Sequence, residues 1–214
     1  MADYKGHTGE DLSVNVYIVP DCSSCGHNEG VRHFWETRSY KAVYVDYASN
    51  KGKGGAIRSA MKLSKAPFVL YTDWDFPYTE EAMEAVIVAL KEGADVVIAE
   101  RQQESYLRVI PLKRKVLSRL SHLFNCILLR LPSVDTQGGL KGLSARGRET
   151  FLETGINRFL FDTEFIALSV RRKLLVRVVS ACIRPDIKLS NMKPCTLMKE
   201  LGGLRKIFYA RWLS

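Results

Sequence analysis

The sequence has no apolar run approaching the roughly 18 residues that a membrane-spanning helix needs. Its opening, "MADYKGHTGEDLS", has no apolar core of the kind a secretory leader carries. The expectation is therefore a protein on the cytoplasmic side of the membrane. Cysteine is sparse, five in 214 residues. Cys22 and Cys25 form a lone CxxC, without the second pair or the spaced histidines that a zinc site needs. A redox pair between a strand and a helix is the other option, and coincidence is the plainer one. Reduced thiols are expected. Repeats, low-complexity segments and linkers are also lacking, so the simplest count is one domain over residues 1–214. Residues 1–13 read as extended or disordered, and 194–214 as a basic amphipathic helix.

Charge is plentiful but uneven. Residues 1–100 hold 10 Lys/Arg against 15 Asp/Glu, and residues 101–214 hold 22 against 8, for a net +9 overall. An acidic half that coordinates something and a basic half that meets something anionic is one reading; a solvated basic surface is the other. Nucleic acid is not expected, because the basic stretches are interleaved with leucine rather than stacking aromatics, and no recognised binding motif occurs.

Periodicity predicts alternating strands and helices. "VNVYIVP", "KAVYVDY", "APFVLYTD", "ADVVIA" and "LLVRVVSACI" read as strands, and "DTQGGLKGLS" as a turn and a short strand. "HNEGVRHFWE" has helical spacing. "NKGKGGAIRSAMKLS" reads as a glycine turn entering a helix. Thr79 is a candidate N-cap before Glu80 and Glu81, with the helix running to about Glu92. Pro111 to Leu131 reads as a long basic amphipathic helix, and "FLFDTEFIALSVRRK" starts another. The fold class is α/β, Rossmann-like, with a mainly parallel central sheet flanked by helices.

Four segments carry chemistry. In "VLYTDWDFP", Asp73 and Asp75 end an apolar strand, where ligands of α/β sheets bind. Neighbours two apart on a strand share a face, so two like charges there call for a cation between them. Carboxylates suit Mg²⁺ or Mn²⁺, which takes the rest of its shell from water and phosphate; a solvated turn with two surface acids is the plain alternative. "NKGKGGAIRSA" lacks the spacing of a P-loop, yet glycines at a helix start allow close approach of a phosphate. "DTQGGLK" and "RFLFDTEFI" follow; Asp162 and Glu164 at a helix start could serve the dipole alone.

Taken in order, "NKGKGGAIRSAM … VLYTDWDFP … AER … R-x-x-x-S … DTQGGLKGL … RFLFDTEF" resembles the family 2 glycosyltransferases of the GT-A fold. The nearest branch is similar to the dolichyl-phosphate glucose and mannose synthases, with an abbreviated N-terminus. Gly138 and Leu140 stand where "DTQCGFK" has cysteine and phenylalanine. The resemblance implies transfer of a hexose from a nucleoside-diphosphate sugar, UDP-glucose favoured, to a polyprenyl phosphate. It implies Asp73 and Asp75 as holders of a Mg²⁺ or Mn²⁺ on the diphosphate, with Asp75 and Asp162 at the reaction centre. Asp21, or alternatively Asp46, falls against the base. Asn50, Gly52, Lys53 and Gly54 lie beside the nucleotide, and Gln137 and Lys141 beneath the donor sugar. Arg101, Arg114 and Ser118 gather around the acceptor phosphate. A lipid acceptor implies peripheral attachment to an anionic membrane surface, on its inner face. A transferase with a soluble or glycan acceptor, and an inactive homologue acting as a basic membrane-binding protein, are the competing readings.

Overall fold

A computed structural model describes residues 2–5, 11–20, 33, 42–45, 50–101, 138–158, 160–184 and 207. The expected helix over Pro111–Leu131 lies outside the described residues. So does the tail, apart from Ile207, and the "HNEGVRHFWE" helix, apart from His33; both single residues are helical. The chain divides into two compact units: Met1–Ser64 with Asn157–Phe159, and Lys65–Ile156 with Leu160–Ser214.

In the first unit, β1 (Ala2–Lys5) pairs antiparallel with β2 (Asp11–Val14), placing Ala2 opposite Val14. β3 (Val16–Ile18) pairs parallel with β4 (Ala42–Tyr44), Tyr17 opposite Val43. The Val45 N–H continues the ladder onto the Ile18 carbonyl at 2.9 Å. Helix α1 (Gly52–Met61) follows, burying Ala56 and Met61. Its glycines answer to a close approach. Gly52 has φ +70°, which favours glycine, and a Cβ there would stand 2.6 Å from the Asn157 carbonyl oxygen.

The second unit is built on a four-stranded sheet. Its strands are β5 (Phe68–Tyr71), β6 (Val96–Arg101), β7 (Lys141–Ser144) and β8 (Val176–Ala181), in the spatial order β5-β7-β6-β8. β7 runs antiparallel to both neighbours, and β6 with β8 is parallel. Among the described residues this sheet thus joins one parallel pair to two antiparallel ones made by β7, within the expected α/β frame. Alternating strands and helices predict parallel crossovers, but the hydrophobic pattern of "KGLS" carries no sign of strand direction.

Helix α2 (Glu80–Lys91) begins after Thr79, as its sequence predicts, with Glu80 and Glu81 in the first turn. Thr79 takes the extended N-cap backbone, but its hydroxyl makes no capping bond. Val86 and Leu90 of α2 are buried against Gly142 on β7, where any Cβ would overlap the Val86 methyl. A glycine in the middle of a strand thus lets the helix lie close on the sheet. Helix α3 (Ala145–Leu152) is capped by Ser144, whose hydroxyl accepts from the Gly147 N–H at 3.3 Å. Helix α4 (Phe161–Arg171) is buried from Phe161 through Ser169. Its phenylalanines join Tyr71 and Phe151 in an aromatic cluster; the Phe151–Phe165 centroids are 5.0 Å apart and Phe151–Tyr71 5.7 Å. Such tilted and edge-on pairs add to simple burial.

Candidate functional site

β5 stops at Tyr71, so Asp73 and Asp75 sit beyond the strand in a tight turn. The period-two argument for a shared face therefore does not hold for them. The turn closes with the Phe76 N–H donating to the Asp73 carbonyl at 3.1 Å, and Phe76 takes φ +44°. A positive φ on a bulky residue is strained, and strain of this kind gathers at functional turns. The exit is pinned: the Arg184 N–H donates to the Pro77 carbonyl at 3.0 Å, and the Thr79 N–H to the Cys182 carbonyl at 3.3 Å. Asp75 is exposed, and Trp74 between the two acids is 92% exposed.

Asp73 is half-buried and rests on Gly139, two residues before the start of β7. A Cβ at Gly139 would overlap Asp73 Oδ2. The Gly139 N–H donates to the buried Tyr78 hydroxyl at 3.0 Å, which fixes the backbone on which the carboxylate lies. The glycine of "DTQGGLK" is thus the seat of the first aspartate of "TDWD".

The same two segments meet again in the core. Tyr71 donates its hydroxyl to Asp162 Oδ1 at 2.5 Å. Lys141, the first residue of β7, is fully buried, and its ammonium lies 3.1 Å from the same Oδ1. That ammonium also donates to the Gly138 carbonyl at 2.5 Å and sits 5.7 Å from the Tyr71 ring centroid. Asp162 is in the first turn of α4, where the helix dipole favours an acid. Burial first, and then the nearby Asp162 carboxylate, push the Tyr71 phenol well above its ordinary value, with Asp73 adding to the effect. Tyr71 therefore remains a hydrogen-bond donor at neutral pH.

These contacts define the surroundings of Lys141. The resemblance puts it beneath the donor sugar; the structure spends its ammonium on Asp162 and Gly138, with no exposed surface left. Asp162 is correspondingly fixed rather than free to swing. Glu164, one turn-step along, is also engaged: Oε2 accepts from the N–H groups of Gly155 and Ile156 at 3.0 and 2.7 Å. It fastens the loop before α4.

In the first unit, the glycine turn is packed by the chain itself. Asn50 Oδ1 accepts from the Gly52 N–H at 2.9 Å, and the Gly54 N–H donates to the Asn157 carbonyl at 2.8 Å. Asn157 in turn accepts from the Arg58 guanidinium. The Gly52 and Gly54 N–H groups are thus bonded within the chain. Asn50 is exposed and Lys53 half-buried. Arg101 is the last residue of β6, opposite Ala181. Asp21, Asp46, Arg114, Ser118 and Gln137 lie outside the described residues.

Tyr71 and Gly139 escaped the sequence reading. Tyr71 looked like one more apolar strand residue, and its signal was only a hydroxyl two positions before an acid. Among the described residues no group of three or more His, Cys, Asp or Glu side chains comes together for a metal. Among the described residues the turn offers the two carboxylates Asp73 and Asp75, a set that fits an ion completing its shell with water and a diphosphate.

No curated protein matches the chain in sequence. Solved structures share its fold. Glucosyl-3-phosphoglycerate synthase from Mycobacterium tuberculosis, in complex with Mn²⁺ and UDP-glucose, is 16% identical at TM-score 0.54 and covers 88% of this chain. This chain spans 65% of that one, less than two thirds of its length. The same synthase with Mn²⁺, UDP and glucosyl-3-phosphoglycerate is 14% identical at TM-score 0.56, covering 94% of this chain and 70% of its own. A further mycobacterial protein is 16% identical at TM-score 0.57, covering 92% and 63%. At such identities the likeness shows the fold, and the fold is GT-A. The model of glycosyl transferase family 2 matches residues 8–140, more than half of the chain. With the aspartate turn, its glycine seat and the buried acid assembled in that frame, the chain belongs to the family 2 glycosyltransferases.

Proposed function

We propose that this chain transfers a hexose, glucose from UDP-glucose as the favoured donor, to the phosphate of a polyprenyl lipid such as dolichyl phosphate. The observation that carries the reading is the joint placement of two motifs. The exposed Asp73–Phe76 turn rests on Gly139, while the strand ends beside them, at Tyr71 and Lys141, grip Asp162. Asp73 and Asp75 would hold Mg²⁺ or Mn²⁺. Such an ion supplies neutralisation of the charge that develops on a leaving diphosphate. Carboxylates suit these hard cations, and the exposure of Asp75 leaves room for ligands from the substrate.

A phosphate acceptor is already anionic, so it needs little help from a base. Asp162, held by two donors, positions rather than shuttles. The acceptor oxygen forms the new bond to the anomeric carbon as the bond to the diphosphate oxygen breaks, and direct displacement inverts that centre. Arg101, Arg114 and Ser118 remain the candidates for the acceptor phosphate.

The lipid acceptor is supported by the resemblance and by the basic, leucine-rich character of residues 101–214. No described helix is long and apolar enough to cross a membrane; peripheral attachment at the cytoplasmic face is part of this proposal. A soluble phosphorylated acceptor is the second reading. It is favoured by the related structures of glucosyl-3-phosphoglycerate synthase in complex with phosphoglyceric acid, and by Ile207, which is fully buried within the tail assigned to the membrane.

The test uses radiolabelled UDP-glucose with Mn²⁺ or Mg²⁺, offered dolichyl phosphate or 3-phosphoglycerate. Label moving into the organic phase supports the lipid acceptor, and label staying in a charged aqueous product supports the second reading. No turnover with any sugar nucleotide sinks the enzyme reading. Flotation with anionic liposomes at low salt checks attachment; protein left at the bottom of the gradient counts against the lipid acceptor.

A further inference from the structure

We propose that Tyr71 is a positioning residue for transfer, acting through Asp162; this rests on the glycosyltransferase reading above. Its hydroxyl is buried and lies 2.5 Å from Asp162 Oδ1, the oxygen that also faces the Lys141 ammonium at 3.1 Å. Two donors on one carboxylate oxygen fix the rotation of that carboxylate and leave Oδ2 as the oxygen without either of them. Asp162 therefore presents a set face rather than a freely turning one.

The ring of Tyr71 cannot drift away from this duty. It is wedged against Phe151 at 5.7 Å and Phe161 at 6.4 Å between centroids, and the Lys141 ammonium lies 5.7 Å from its own centroid. Tyr71 is also the last residue of β5, paired with Lys141 across the ladder, and only Thr72 separates it from Asp73. One residue thus links the backbone that feeds the aspartate turn to the acid on α4. Phenylalanine would keep the ring and remove only the hydroxyl that bonds Asp162. A tyrosine is needed there only if the hydrogen bond matters.

Substitution separates that hydroxyl from the ring. Tyr71→Phe should leave the affinity for UDP with Mn²⁺ and the KM for UDP-glucose near wild type and lower kcat about tenfold, the size of one hydrogen bond to a charged group. Asp162→Asn should lower kcat further, and the double variant should be no slower than Asp162→Asn alone, because the hydroxyl acts only through that carboxylate. A wild-type kcat in Tyr71→Phe, or losses that multiply in the double variant, overturns the proposal. If the wild-type protein turns over no sugar nucleotide, the transferase reading falls separately. The link is then decided by melting temperatures of the same four proteins: coupled shifts retain it, and additive shifts overturn it.

Discussion

The Asp73–Phe76 turn and the Tyr71–Lys141–Asp162 cluster start from the same strand end and treat their carboxylates in opposite ways. Asp75 is exposed beside a 92% exposed tryptophan, on a turn strained at Phe76. Asp162 is buried, with a hydroxyl and an ammonium on one oxygen. An exposed acid on a strained turn has its charge balanced by water until a ligand arrives, so it can exchange partners. A buried acid must carry its partners within the protein, so it keeps one geometry. Binding belongs to the first kind of site and orientation to the second.

The largest effect should come from breaking the buried member. Lys141→Met removes one partner of a buried ion pair and leaves Asp162 without its cation. Losing one half of such a pair costs about 3–5 kcal/mol. The expectation is a fall in the denaturant midpoint with unchanged slope, together with lost turnover. A variant as stable as wild type would show that the pair is not closed in solution, and the contrast would fail.

Asp75→Ala strikes the exposed member. It should leave the melting temperature unchanged or slightly raised, since it removes one of two acids in a single turn. Mn²⁺-dependent binding of UDP should fall by about tenfold or more, at least 1.4 kcal/mol. Calorimetry with and without Mn²⁺ reads both. If UDP and Mn²⁺ bind as they do to wild type, the turn is not a metal site.

How much of this could be read from residues alone differs between the two regions. The exposed turn announced itself: two acids after an apolar run, before a proline, are visible in one line of sequence. Its geometry was not, because alternation holds only while the strand lasts, and β5 ends at Tyr71. The buried cluster was legible only in part. Asp162 stood out as an acid at a helix start, but its partners come from 91 and 21 positions away, on strands whose antiparallel pairing places Tyr71 opposite Lys141. The α/β class followed from periodicity, the start of α2 from Thr79 before two acids, and the entry into α1 from its glycine turn. The reversal of β7 did not, since strand direction leaves no mark in the four residues Lys141–Ser144. At α1 the glycines permit a close approach, and the described partner is the chain's own Asn157.

Gly139→Ala tests the contact where the two regions meet. The new methyl would overlap Asp73 Oδ2. Overpacking of this kind costs about 1–3 kcal/mol, less here than the loss of Lys141 because a half-buried carboxylate can swing outward. That swing should weaken Mn²⁺-dependent UDP binding while leaving Tyr71 and Asp162 in contact. Full-strength UDP binding in this variant would mean that Asp73 is not the ligand its seat suggests.

The smallest effect should appear only in alkali, and it belongs to the buried side alone. Tyr71 keeps its proton because ionising it would create a desolvated phenolate against the Asp162 carboxylate. Its pKa in the folded state is raised above the unfolded value of about 10. A group shifted upward contributes stability that is fully present below the unfolded pKa and is lost as pH rises through the folded one. The difference in melting temperature between wild type and Tyr71→Phe should therefore stay constant up to about pH 10 and change above it, in the direction that disfavours wild type. Comparing the two proteins cancels the lysines and the other tyrosines, which titrate over the same range in both. A difference that stays flat through the alkaline range would mean that the phenol reaches solvent, and the two regions would then differ less than their geometry implies.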